Sequence, residues 1–304
     1  MESTLKRSVI AVPPLARKSD GRVDTSDNIR LFRHLQKGGV STLLYGGNAN
    51  FYNMGLYEYA EVLDLLAAMA GEGATVIPSA GPEYGRLMDQ VSVLKERNFS
   101  TVMVLPASAV STEEGVMRGI RQFADRLGTA VVVYIKSETY LRPEHVATLV
   151  DDGVVSWIKY AMVREDPRED DFLRVLLDQV ERRYVVSGIG ELPAVVHLRD
   201  FGLAGFTSGS VCLAPALSMQ LLRCAQAGDW TGAFRLREFF LELEGLRNFI
   251  NPITVLHEAV TLSGLADLGP ILPLLSNLAP QHHARVREAA IQLLQQNEKE
   301  AVLT

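Results

Sequence analysis

Eight short runs rich in β-branched residues recur along the chain of 304 residues, and this recurrence constrains the fold more than any other feature. Segments with apolar residues at i, i+3 and i+4, typical of helices, separate them. The strand-like runs are apolar throughout, which favours parallel strands covered on both faces. The runs lie at 8–12, 40–46, 75–78, 101–105, 129–135, 154–160, 183–187 and 203–208, and clear helical segments at 28–38, 56–70, 84–97, 113–127 and 168–182.

This order predicts an α/β protein, a (β/α)8 TIM barrel with a C-terminal helical extension. A doubly wound sheet of six strands is the alternative, but it would leave strands over, and no GxGxxG turn follows the first strand. From 213 onward the pattern is wholly helical. We therefore expect a catalytic barrel over 1–212, and the eighth barrel helix with the extension over 213–304, as one folding unit.

The composition of the chain indicates what kind of molecule it binds. An apolar fraction of 47% is ample for a large core. The net charge of −6, without any Lys/Arg-rich block, argues against nucleic acid or a membrane surface and favours a small metabolite. Cys212 and Cys224 lack the spacing of a metal site or a disulfide framework. With neither a signal peptide nor an apolar stretch of membrane-spanning length, the sequence favours a cytoplasmic protein.

Two of only seven lysines, Lys136 and Lys159, close strand-like runs. The carboxyl ends of barrel strands open onto the catalytic face. Apolar walls disfavour the ammonium form of a lysine, so its neutral, nucleophilic form becomes available near neutral pH. Spacing alone, however, favours a lysine that reaches solvent or pairs with an acid.

Six stretches decide between these interpretations by their order and spacing. The chain resembles the dihydrodipicolinate synthase and N-acetylneuraminate lyase superfamily over nearly its whole length. The resemblance implies a TIM barrel without metal or organic cofactor, assembled as a homotetramer or homodimer. The stretches are VIAVPPLARKSDGRVD, YGGNANFYNMGLYEY, VVVYI, WIKYA, SGIGELPA and GLAGFTSGSVCLAP.

The resemblance also implies roles for individual residues. Lys159 corresponds to the lysine that forms a Schiff base, and Tyr134 to the tyrosine that moves protons. Lys136, two residues after Tyr134 on the same side of a strand, is either a contact for a distal substrate group or a solvated loop lysine. The remaining expected substrate-binding residues are the carboxylate loop Gly46, Gly47 and Asn48, together with Gly188, Thr207 and Ser208.

The chain departs from the superfamily pattern at several positions. Gly47 and Asn48 stand where hydroxyl residues are usual, Ala107 and Ser108 where an aromatic pair is usual, and Thr139 where an arginine grips the second substrate of the synthase. These changes disfavour synthase activity.

The loop after the second strand leaves two interpretations open. Its polar and aromatic side chains, Asn50, Tyr52 and Asn53, suit a polyhydroxylated substrate. Phe51 and Tyr52 equally suit a contact between subunits.

The sequence thus predicts a Schiff-base-forming lyase, an aldolase or a dehydratase. Its expected substrate is a 2-oxo acid, favoured to be a 2-oxo sugar acid, and its product pyruvate or another 2-oxo acid. The alternatives are dihydrodipicolinate synthase itself and a catalytically weak protein that binds a 2-oxo acid.

Overall fold

A computed structural model describes residues 2–107 and 110–301. Its parallel strands form two rows, β3-β2-β1-β9 and β4-β5-β6-β7-β8. The rows meet at Pro78, where the third barrel strand is divided into β3 and β4, and at a parallel bridge between Ser187 and Phe206. The predicted (β/α)8 barrel is therefore confirmed. Its strands are β1 (Ile10–Ala11), β2 (Thr42–Leu44), β3 (Thr75–Ile77), β4 (Ser79–Ala80), β5 (Met103–Val104), β6 (Val131–Ile135), β7 (Val155–Tyr160), β8 (Val185–Ser187) and β9 (Thr207–Ser208).

Helices surround the strands, and each helical segment predicted from the sequence overlaps one of them. The α-helices are α1 (Glu2–Arg7), α2 (Thr25–Lys37), α3 (Leu56–Gly71), α4 (Tyr84–Lys95), α5 (Glu113–Leu127), α6 (Pro143–Asp151), α7 (Asp171–Gln179), α8 (Glu191–Asp200), α9 (Pro215–Gln226), α10 (Trp230–Glu238), α11 (Leu241–Phe249), α12 (Pro252–Leu262) and α13 (Pro280–Ala301). Single 3-10 turns lie at Phe51–Asn53, Arg182–Tyr184 and Ser210–Cys212. The division at 212/213 stays a prediction. No helix within the described ranges is long and apolar enough to cross a membrane.

Strands β6 and β7 explain why the sequence has apolar runs rather than alternation. Every residue of both strands is buried, because one face lines the barrel interior and the other packs under the helices. In their parallel register Tyr134 is the partner of Lys159. The two functional candidates on these strands are thereby neighbours.

The C-terminal helices bring α11 to the barrel mouth. Helix α11 packs against α12 and α13 and buries Leu243 and Leu246. Asn251 caps the next helix by accepting hydrogen bonds from the backbone N–H groups of Ile253 and Thr254, both at 3.0 Å. This cap begins α12 just after α11 ends, so the chain turns sharply above the carboxyl ends of the strands.

Candidate active site

A cavity of about 230 Å³ opens at the carboxyl ends of the barrel strands, the end that carries the catalytic site in TIM barrels. Seven of the site residues predicted from the sequence line this cavity: Gly47, Asn48, Tyr134, Lys136, Lys159, Gly188 and Thr207.

Lys159 and Tyr134 form the floor of this cavity. The Lys159 side chain is 4% exposed, and its Nζ lies 4.4 Å from the centre of the Tyr134 ring. Among the described residues, none forms a hydrogen bond with the hydroxyl of Tyr134. That hydroxyl and the amine are therefore both available to a ligand.

Burial and neighbouring cations perturb both groups. Burial, reinforced by the positive charges of Lys136 and Arg247, lowers the pKa of Lys159 to about 7. A substantial fraction of the amine is therefore neutral near neutral pH, as nucleophilic attack requires. Burial raises the pKa of Tyr134 well above its usual value, so this side chain remains a neutral phenol.

Lys136 follows β6 and lies at the rim of the cavity. Its Nζ is 5.8 Å from the centre of the Tyr134 ring, on the side predicted from the strand period. Its side chain is exposed to solvent, and partial burial lowers its pKa. Within the described ranges it has no hydrogen-bond or ion-pair partner. A second lysine therefore lies in the same cavity as the Lys159 amine.

Two predicted site residues do not line the cavity. A Cβ at Gly46 would come within 2.7 Å of Met103 Cε, so this glycine allows close packing inside the barrel. Ser208 points away and donates a hydrogen bond to Glu191 Oε2 at 2.7 Å. Sequence spacing had not revealed these packing partners, which come from β5 and α8.

Asn48 lines the cavity but has already used part of its donor capacity. Its Nδ2 donates to the carbonyl oxygen of Val12 at 2.7 Å. One N–H of the amide therefore ties the loop to the end of β1. The second remains for a ligand.

The two aromatic side chains of the loop at 50–53 have different surroundings, one in the core and one in the cavity. Phe51 is buried against Tyr59, with ring centres 6.0 Å apart in an edge-to-face arrangement. Tyr52 lines the cavity, and burial raises its pKa to about 12. Phe51 therefore packs within its own subunit, and Tyr52 is the side chain of this loop that faces a ligand.

Gly47 and Asn48, which depart from the superfamily pattern, line the cavity, whereas two other departing positions, Ala107 and Thr139, do not. Ala107 borders a separate surface groove between α4 and α5, and Ser108 lies outside the described residues. Thr139 is exposed and hydrogen-bonds to Ser137, with 2.8 Å between their hydroxyl oxygens. Neither Ala107 nor Thr139 contributes to the cavity.

Two charged residues of α11 line the cavity without having been identified in the sequence. Arg247 Nη1 lies 3.1 Å from Glu244 Oε1, and both side chains are largely buried. The i, i+3 spacing of opposite charges on a helix was a visible signal, but it is also common on solvated helix surfaces. Only the packing of α11 over the barrel turns this pair inward.

No known family model matches the chain. Two curated relatives, both described as a probable 5-dehydro-4-deoxyglucarate dehydratase, align with it. The one from Rhizobium rhizogenes is 22% identical over 253 residues, covering 80% of each chain. The one from Xanthobacter autotrophicus is 24% identical over 250 residues, covering 79% of each.

Solved structures agree over almost the whole length. Dihydrodipicolinate synthase from Oceanobacillus iheyensis superposes with a TM-score of 0.83 at 20% identity, covering 98% of both chains. Sialic acid aldolase from Ruminococcus gnavus superposes with a TM-score of 0.83 at 16% identity, covering 97% of this chain and 99% of its own. At such identities the likeness establishes the fold, and activity must be argued from the site.

Proposed function

We propose that this chain belongs to the dihydrodipicolinate synthase and N-acetylneuraminate lyase superfamily and is a Schiff-base lyase that dehydrates a 2-oxo sugar acid. The observation that carries the proposal is the buried Lys159 amine, with a pKa lowered to about 7, directly beside Tyr134. Cations around the amine suit an anionic substrate.

The first half of the reaction forms the imine. Neutral Lys159 attacks the 2-oxo carbon, and the carbonyl oxygen takes up a proton to give a carbinolamine. Tyr134, a phenol beside the amine, supplies a proton as the hydroxyl leaves as water, and Tyr134 becomes a phenolate. The resulting iminium withdraws electrons from the neighbouring carbon C3.

The second half uses that electron sink. The Tyr134 phenolate left by the first half takes a proton from C3 to give an enamine. The phenol then returns this proton to the C4 hydroxyl as the enamine electrons expel that group as water. The product is an α,β-unsaturated iminium, and hydrolysis returns the amine of Lys159. In aldol cleavage the C3–C4 bond would break instead.

Two considerations favour dehydration of a sugar acid. Both curated relatives are named as dehydratases of such an acid, 5-dehydro-4-deoxyglucarate. The groups that the synthase reaction would need at positions 107 and 139 have no counterpart there, since these residues are Ala107 and Thr139 and lie outside the cavity.

Product analysis tests this function. The enzyme is incubated with 5-dehydro-4-deoxyglucarate, with 2-oxo sugar monoacids, and with pyruvate plus aspartate semialdehyde, and the products are identified by NMR. We expect a dehydrated 2-oxo acid from a sugar acid. Release of pyruvate from a sugar acid would instead identify an aldolase, and condensation of pyruvate with the semialdehyde would identify a synthase.

The assembly and compartment are part of the proposal. A homotetramer follows from the superfamily resemblance, and the exposed apolar side chains of Tyr84 and Val110 beside the α4–α5 groove suit contact with a second copy. Light scattering that gives the monomer mass of 33.4 kDa would contradict an oligomer. Cys212 and Cys224 are free, which supports the reducing cytoplasm.

A further inference from the structure

The guanidinium of Arg247 is held by three hydrogen bonds through two of its nitrogens, which leaves its third nitrogen free among the residues that the structure describes. Its Nη1 donates to Glu244 Oε1 at 3.1 Å and to Ser210 Oγ at 3.3 Å, and its Nε donates to the carbonyl oxygen of Pro252 at 3.2 Å. The side chain is only 11% exposed. Over the described ranges of the chain, Nη2 has no hydrogen-bond partner. A rigidly held guanidinium thus presents an unused edge.

This free nitrogen lies close to the side-chain amide of Asn48. A Cβ at Gly209 would lie 2.8 Å from Arg247 Nη2 and 2.9 Å from Asn48 Nδ2, and both distances are too short for a carbon atom. The glycine at 209 therefore allows the two nitrogens to approach each other. Both side chains line the cavity that contains Lys159.

We propose that Arg247, together with Asn48, binds the carboxylate attached to the 2-oxo carbon of the substrate. This inference rests on the proposed function, since it presupposes an imine at Lys159. A guanidinium N–H and an amide N–H can each donate to one oxygen of the same carboxylate, and hydrogen bonds from a charged donor to a carboxylate are stronger than those between neutral groups.

The position of Arg247 and Asn48 in the barrel indicates which carboxylate they bind. It is the one attached to the 2-oxo carbon, and not one at the far end of the substrate. Asn48 and Gly209 follow β2 and β9, the two neighbours of β1 in the sheet, whereas Lys136 follows β6 on the opposite side of the ring. The cavity therefore has one buried cationic corner and one exposed cation at its rim. A carboxylate one bond from the reacting carbon is always close to Lys159 and fits the buried corner, while a group farther along the chain extends toward Lys136.

Sodium borohydride trapping with two small carbonyl compounds tests the assignment. Pyruvate carries this carboxylate and no other, and acetone carries none. We expect Arg247→Met to raise the half-saturating concentration of pyruvate by about 10- to 150-fold, the factor for losing a hydrogen bond to a charged group. Trapping of acetone, measured at a pH where the amine is neutral in both proteins, should change little.

Matched variants separate binding from folding. Arg285→Met removes an exposed arginine that pairs with Glu242 of α11, outside the cavity, and should leave pyruvate saturation unchanged. Since Arg247→Met leaves Glu244 buried without its cation, the double variant Glu244→Gln/Arg247→Met provides a second test with that charge removed. Arg247→Lys should restore part of the affinity.

Two results would overturn the assignment. The first is a pyruvate saturation curve like that of the wild type in folded Arg247→Met. The second is an equal loss of pyruvate and acetone trapping, which indicates a structural role. Failure of the wild-type protein to trap any 2-oxo acid is a different outcome, because it removes the proposed function and this inference with it.

Discussion

Lys159 and Tyr134 are register partners on adjacent parallel strands, and the amine of one lies 4.4 Å from the ring centre of the other. The ring covers the amine on one side and helps to exclude water from it. The same register places the phenol and the amine at one end of the barrel. A single strand pairing therefore joins the candidate nucleophile to the candidate proton donor.

The pH dependence of imine formation should follow Lys159. Its pKa, lowered by burial, Lys136 and Arg247, is about 7. Below this value the amine is mostly protonated, so we expect the initial rate of pyruvate trapping to rise as pH increases through about 7 and then to level off. Rates measured with borohydride from about pH 5 to about pH 9 provide the test. A rate still rising steeply near pH 9 would mean an unperturbed lysine.

Lys136→Met should shift this profile. The charge of Lys136 disfavours the protonated form of Lys159, so its removal raises the pKa of Lys159 and moves the rise in rate to higher pH. Lys95→Met, which removes an exposed lysine bonded to the carbonyl oxygen of Arg126, is the control and should leave the profile unchanged. Identical profiles for the Lys136 variant and the wild type would exclude electrostatic coupling between the two lysines.

Tyr134→Phe should retain the fold and lose most turnover. The change removes a hydroxyl and little volume, whereas a positioned proton donor contributes about 10²- to 10⁴-fold to rate. We expect a fall in kcat of that size, with slow trapping of pyruvate still detectable at Lys159. Steady-state kinetics on the sugar acid measure the effect, and kcat close to that of the wild type would exclude Tyr134 as the proton donor.

Glu191 should make stability depend on pH. Burial, reinforced by the charge of Glu244, raises its pKa to about 8, while Ser208 and Ser218 donate hydrogen bonds to it. The folded protein therefore retains a proton that the unfolded chain has lost, and the stability that Glu191 contributes is lost as pH rises from about 4.5 toward about 8.

Glu191→Gln removes this dependence because an amide does not ionise. Relative to the variant, the free energy of unfolding of the wild type should fall with pH across that window, by at most about 1.4 kcal/mol per pH unit. Urea denaturation at several pH values measures it, with the exposed Glu288→Gln as control. A constant difference between wild type and variant would show that Glu191 has an ordinary pKa.

Local patterns identified part of the candidate site. Lys136 and Lys159 were noticeable because they close apolar runs, whereas the role expected for Lys159, and Tyr134 itself, came from the resemblance over six stretches. Gly46 and Ser208 are next to residues that line the cavity, yet their own surroundings, Met103 and Glu191, come from other elements. Local patterns do not define such neighbours.

Arg247 illustrates a second limit. Its helix has an ordinary pattern of apolar and charged residues, and nothing in that pattern specifies which structure covers its polar side. The position of α11 depends on packing against α12 and α13 and on the turn capped by Asn251. Residues that reach a site from such an extension become visible only in the folded chain.

Borohydride reduction in the presence of pyruvate, followed by mass spectrometry of the digested protein, is the most direct test of the Schiff-base mechanism. We expect one adduct, on the peptide that contains Lys159, and none in Lys159→Met. Tyr134→Phe should retain that adduct, which shows that trapping reports the amine rather than turnover. An adduct on Lys136, or an unmodified Lys159 in active wild-type enzyme, would contradict the mechanism.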